Sequence, residues 1–194
     1  MVTLDFESKT KELIDSLKAI CANYGLGNDS SEFKIITQVF LYKFLNDKFA
    51  YQAKKINPSL ATEKDWEKAI HALPEDDLEM LLLQLGADTA KIKPDHFISH
   101  LFQIQHEPEF AKFFDDTLRD IAIINNDIFA VKTDGGTKVV LFDRVSENIH
   151  DLSKRDAFCR SIINKHVDFS FEHIFGQKYD FFATIFEYLI KDYN

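Results

Sequence analysis

His96 and His100 stand four residues apart, a spacing that puts two imidazoles on one face of a helix and permits a metal site, with His106 a little further on. No HExxH signature surrounds them and no cysteine is near, so the remaining ligands would have to come from elsewhere in the fold. A surface or partly buried pair is the simpler reading. The acidic groups Glu75, Asp76, Asp77 and Asp115, Asp116 are neighbours in sequence, and adjacent residues on a helix point in different directions, which argues against paired carboxylates for acid–base work. Glu75 and its neighbours suit the first turn of a helix, where the dipole favours negative charge.

Cofactor chemistry of the kind used by methyltransferases, kinases and dehydrogenases needs a Gly-rich loop between a strand and a helix. Gly25-Leu26-Gly27 lies between two predicted helices, and Gly135-Gly136 is explained by a hairpin turn. Asn57-Pro58-Ser59 lacks the second proline and the aromatic residue that would hold a flipped base, and reads as a helix stop. There is no GxSxG elbow, and Cys159 beside Arg160 is one turn of an amphipathic helix. No catalytic, cofactor-binding or metal-ligating residue is assigned. The closest approach to a binding surface is a set of lysines, Lys43, Lys48, Lys54 and Lys55, on one predicted helix. Lys48 and Lys55 share a face, as do Lys43 and Lys54, with Asp47 and Glu32 diluting them. They are the candidate DNA-phosphate contacts, against the alternative of a solvated helix face.

The elements that would position these residues are mainly helical. Phe6, Leu13, Leu17, Ile20, Cys21 and Tyr24 recur with a helical period, and Gly25, Gly27 and Asn28 end the run. Asp29 followed by Glu32 reads as a capping box for a long second helix from Ser30 with a wide apolar face, stopped at Pro58. Thr62 is the expected N-cap of a short helix through Trp66 and Ile70, and Pro74, Pro94 and Pro108 each open a further helical run. Between 128 and 142, alternating Phe129, Val131, Val139 and Leu141 flank Asp134-Gly135-Gly136-Thr137, which predicts a small β-hairpin. Helical period returns at Ala157–Ile163 and again at Tyr179–Tyr193, where no terminator precedes Asn194 and the natural protein is expected to continue. The fold class is therefore a multi-helix bundle with one hairpin, in a single domain over 1–194.

The 194 residues, 45% apolar with 4 Pro and 6 Gly, are enough for a sizeable core and too apolar for disorder. Nineteen Phe are expected to dominate that core. Two distant cysteines, Cys21 and Cys159, form no disulfide framework and fit a reducing cytoplasm. Neither a signal peptide nor a membrane span is visible. The net charge of −9 sits in the middle: residues 61–130 carry 15 acidic and 6 basic groups, whereas 1–60 carry 7 and 8. If nucleic acid is bound, that middle third should face away from it.

Two segments resemble a known family. Asp29-Ser-Ser-Glu-Phe-Lys34 with Phe40-Leu-Tyr-Lys-Phe-Leu-Asn-Asp-Lys-Phe49 resembles the second helix in the N-terminal domain of modification subunits of type I restriction-modification systems. Phe171-Glu-His-Ile-Phe-Gly176 through Phe186-Glu-Tyr-Leu-Ile190 is similar to the helix leading into that family's catalytic domain, with Phe186 where a Tyr is usual. The resemblance implies a parent that methylates adenine in DNA using S-adenosylmethionine, with the cofactor loop and the Asn-Pro-Pro-aromatic motif after Asn194. It implies no cofactor within this chain. The implied partners are a specificity subunit, a second modification subunit, a restriction subunit and, through the complex, DNA. Two other classes compete: a stand-alone helical adaptor whose Phe-rich face takes a partner helix, and a small hydrolase using His96, His100 and an acidic residue. No helix-turn-helix with a basic recognition helix is visible.

Overall fold

The computed structural model describes residues 2–28, 30–126 and 142–176. Within them every regular element is helical, as the apolar periodicity predicts. The hairpin expected over 128–142 gains no support: all but its last residue lie outside the described residues, and among the described residues there is no strand. The final helix expected over 179–193 lies outside them as well.

Helix α1 (Val2–Asn23) buries Phe6, Leu13, Ile14, Leu17, Ile20 and Cys21 along one stripe. It ends in a Schellman motif: Leu26 N–H donates to the Cys21 carbonyl at 2.9 Å and Gly25 N–H to that of Ala22 at 3.1 Å. Gly25 makes this turn at φ +84°, a left-handed conformation that side chains disfavour. Helix α2 (Ser30–Ile56) follows. The Glu32 carboxylate reaches back to accept the Asn28 N–H at 3.1 Å, one residue before the predicted cap Asp29, which itself lies outside the described residues.

Helix α2 is the axis of the molecule. It is buried around most of its circumference, with Ile36, Val39, Phe40, Tyr42, Leu45, Phe49 and Ala53 all at most 2% exposed. It packs on α1, on α3 (Ser59–Thr62), on α5 (Glu75–Gln84), and on the short 3₁₀ turns Val145–Asn148 and Glu172–Ile174. Helix α4 (Trp66–His71) is capped by Asp65, whose carboxylate accepts Lys68 N–H at 3.2 Å, and not by the expected Thr62, whose hydroxyl bonds back to the Ser59 carbonyl within α3.

A second layer forms around α8 (Arg155–Val167), which packs on α1, α6 (Ile98–Gln103) and α7 (Phe110–Ile124). Helix α7 starts at Glu109, held at φ +60°, and takes its first-turn partner from α8: Asp156 accepts Ala111 N–H at 2.8 Å. Asn125, fully buried at the other end of α7, exchanges hydrogen bonds with both backbone groups of Lys91 at 2.7 and 2.8 Å, fixing the segment that leads to Pro94. Among the described residues isoleucines are the more numerous core residues, and phenylalanines supply most of its largest fully buried side chains. Phe49, Phe97, Phe110, Phe114, Phe158 and Phe171 are fully buried, and edge contacts such as Phe40–Phe171 at 5.1 Å join elements far apart in sequence.

Candidate functional site

The four lysines singled out on α2 do not form an exposed stripe. Lys43 is buried and pairs with Asp47 one turn on, at 3.0 Å. Lys48 reaches Asp88, bonding both its carboxylate at 2.9 Å and its carbonyl at 2.8 Å, and this ammonium holds the Asp88 carboxyl below its usual range. Lys54 donates to both carboxylate oxygens of Glu172, at 3.0 and 2.8 Å, and lies 5.1 Å from the Trp66 ring centre. Lys55 alone is exposed, over the ring of Tyr51 at 4.8 Å. The helical spacing was sound, but the Lys43 and Lys54 face turns inward, because Asp47 and Glu172 supply it with opposite charge.

Asp47 is the centre of this polar interior. Besides Lys43, its carboxylate accepts the Asn46 amide at 3.0 Å and the Phe171 backbone N–H at 2.8 Å, across 124 residues of sequence. The segment from Phe171 to Gly176 is thus tied to α2 by Asp47, by the Lys54–Glu172 pair, and by Phe171 and Phe175 stacking edge-on against Phe40 and Phe44.

The predicted pair of histidines separates. His96 belongs to a 3₁₀ turn (Pro94–His96) and His100 to α6; Phe97 between them has an extended backbone with ψ 142°, which breaks the i, i+4 relation. His96 points inward, its ring nitrogens near the Lys93 N–H at 3.4 Å and the Asp120 carboxylate at 4.0 Å, and burial lowers its pKa. His100 instead meets two residues from other elements: His71 at the end of α4, ring centres 5.8 Å apart, and Asp95. His71 Nε2 lies 4.0 Å from Asp95 Oδ1, and the ligand atoms of all three residues fall within 4.8 Å of one another. Nothing in local spacing marks His71 as a partner for His100, since it lies 29 residues earlier on a different helix.

What positions this group is α2. Tyr42 Oη donates to the His96 carbonyl at 2.6 Å, and Asn46 Oδ1 accepts the Ile98 N–H at 3.1 Å, so the turn carrying Asp95 and the start of α6 are both pinned to the central helix. Phe97, fully buried, packs between Phe49 and Trp66 and presents its ring edge to His71 at 6.4 Å. Two open clefts meet at His100. One, of about 440 Å³, runs past His71 and Glu67; the other, of about 390 Å³, runs past Asp95 and Asp120. Burial raises the pKa of Glu67 in the first cleft, against the lowering effect of a hydrogen bond with Ser99. His71, Asp95 and His100 are the group among the described residues whose ligand atoms come close enough to hold a metal ion.

Other reactive side chains are spoken for. Cys21 and Cys159 are buried free thiols; burial pushes Cys21 up to about 12 and Cys159 well above its usual value, which leaves neither as a thiolate. Asp115 is buried with its carboxylate accepting the Ser146 N–H at 3.1 Å and hydroxyl at 2.6 Å, so it anchors a turn as the sequence reading of structural charge expects. His166, fully buried in α8, lies between the carbonyls of Ile162 and Val39 at 2.7 and 2.9 Å. Among the described residues no helix is long and apolar enough to cross a membrane. No family model, no curated protein and no solved structure matches the chain.

Proposed function

We propose that this chain is the N-terminal helical domain of the modification subunit of a type I restriction-modification system, and that it serves subunit assembly and DNA engagement while methyl transfer occurs elsewhere in the full-length protein. The observation that carries this reading is the contact between the two segments bearing the resemblance. Residues 30–50 and 171–176 meet through the Asp47–Phe171 hydrogen bond and the Phe40, Phe44, Phe171 and Phe175 rings, so they act as one packed unit although far apart in sequence. In this reading S-adenosylmethionine binds a catalytic domain after Asn194. The partners are a specificity subunit, a second modification subunit, a restriction subunit and DNA, in the cytoplasm. Of the candidate phosphate contacts, Lys55 is the exposed one and is the residue this reading assigns to DNA, whereas Lys43, Lys48 and Lys54 pair with acidic groups of the fold.

The test begins with the native reading frame. Past Asn194 it should run into a Gly-rich strand–turn–helix and an Asn-Pro-Pro-aromatic motif, and the full-length product with its specificity subunit should methylate adenine in DNA. The 194-residue chain alone, incubated with DNA and labelled S-adenosylmethionine, should transfer no label. A reading frame that stops at Asn194, or methyl transfer by this chain alone, overturns the proposal. One observation favours the second reading, a helical adaptor: α5 buries only Leu81 and leaves Met80 and Leu83 56% and 66% exposed, an apolar face suited to a partner helix. A frame that ends at Asn194 would favour it.

A further inference from the structure

We propose that His71, Asp95 and His100 form a binding site for a divalent transition ion of the zinc type, with three protein ligands and an exchangeable position open to water or an anionic oxygen. The inference stands apart from the function proposed above and holds whether or not that reading does.

Three observations converge on it. The donor set is two imidazoles and one carboxylate, which suits borderline ions such as Zn²⁺ and is poorly matched to Mg²⁺ or Ca²⁺, whose shells are built from oxygen. Those donors come from three separate elements, the end of α4, the 3₁₀ turn after Pro94 and the first turn of α6, so they converge by the fold and not by sequence proximity. Finally, their supports are rigid while their tips are free to adjust. Tyr42 and Asn46 of α2 fix the backbone on either side of Phe97, and the buried Phe97 ring underlies His71. His71 and Asp95 are exposed and His100 is half-buried.

Ligand atoms now within 4.8 Å of one another need to close to about 3.3 Å around an ion with bonds of about 2.0–2.2 Å in tetrahedral geometry. The site requires side-chain rotation at the exposed His71 and Asp95 to supply this closure toward His100. The two clefts that meet at His100 leave solvent access to the ion, so the fourth position is not closed by protein as it is in a structural zinc site. A water held there would be acidified by the ion.

The experiment uses the chain after treatment with a chelator and dialysis. Zn²⁺ is titrated by calorimetry, Co²⁺ by visible absorption, and thermal unfolding is followed with and without Zn²⁺. The expected result is one saturable ion per chain, a Co²⁺ ligand-field spectrum, a higher Tm with Zn²⁺, and no displacement by excess Mg²⁺. H71A and H100A should each weaken Zn²⁺ by at least about tenfold and abolish the Co²⁺ bands, with far-UV circular dichroism unchanged. D95N should weaken binding in the same direction, whereas H106A and H150A, which alter exposed histidines outside the group, should leave it unchanged. Absence of saturable binding overturns the site, as does binding that survives both H71A and H100A or is lost in H106A or H150A.

Discussion

Replacing Asp47 by alanine removes one carboxylate and strands three buried partners, Lys43, the Asn46 amide and the Phe171 N–H. Lys43 has a side chain only 6% exposed, and without Asp47 its ammonium loses the ion pair at 3.0 Å; the Phe171 N–H loses its acceptor at 2.8 Å. Breaking a buried ion pair by deleting one member costs about 3–5 kcal/mol, because the surviving charge stays desolvated. An orphaned buried N–H adds about 1–3 kcal/mol. Some relief follows if the Lys43 stem swings its head toward water, so the expected loss is about 4 kcal/mol, a large share of the roughly 5–15 kcal/mol that holds a domain folded. D47N keeps an acceptor for Phe171 and loses only the charge, and should cost less. The K43M/D47A double variant removes the stranded Lys43 charge while leaving the Phe171 N–H without its acceptor, and should recover about 2 kcal/mol or more of the D47A loss, because no uncompensated charge stays buried. Urea unfolding followed by far-UV circular dichroism at pH 7, read at constant m, measures all three. If the double variant is no more stable than D47A, or if D47A itself loses less than about 1 kcal/mol, the carboxylate is not compensating a buried charge and this account of α2 is wrong.

Two further outcomes follow from buried groups. Burial lowers the His166 pKa from 6.5 to about 4, outweighing the two carbonyls at its ring nitrogens, with Lys43 the charged group facing it. Above pH 6.5 the ring is neutral folded and unfolded, so its contribution is full; between pH 6.5 and 4 only the unfolded chain takes the proton, and stability falls by about 3 kcal/mol in total. The difference in unfolding free energy between wild type and H166Q across that range isolates the effect, and equal slopes would refute it. Cys21 and Cys159, buried with raised thiol pKa values, should resist a thiol-reactive reagent at pH 8 in the native state and react at both positions in denaturant; rapid native labelling of either would contradict their placement.

The elements legible in the sequence are those set by local chemistry. Gly25 after an apolar run marks the Schellman turn that ends α1, Glu32 marks the start of α2, and Pro74, Pro94 and Pro108 each stand at or just before a helical turn. These signals act over three or four residues, the reach of a helical hydrogen bond. Sequence alone puts the cap of α4 three residues early, because Thr62 and Asp65 are both competent caps, and only the fold decides that Thr62 ends one turn while Asp65 begins the next.

The candidate sites depend on partners too distant for such signals. Lysines on a helix read as a solvated or phosphate-binding face because charge is usually exposed, and nothing in residues 43–55 reveals that Glu172 and Asp88 will meet them. The same α2 that buries Lys43 and Asp47 also sends Tyr42 and Asn46 to the turn around Phe97. One helix therefore carries out two tasks: it ties residues 171–176 to the core, and it sets the distance between His100 and Asp95. A helical reading of His96 and His100 fails at Phe97, whose extended backbone lets Asn46 cap α6, and that interruption is what turns His96 inward and leaves His100 facing His71. Through Asn46, which donates to Asp47 and accepts from Ile98, α2 links the anchor of residues 171–176 to the start of α6, so a substitution that loosens Asn46 should disturb both.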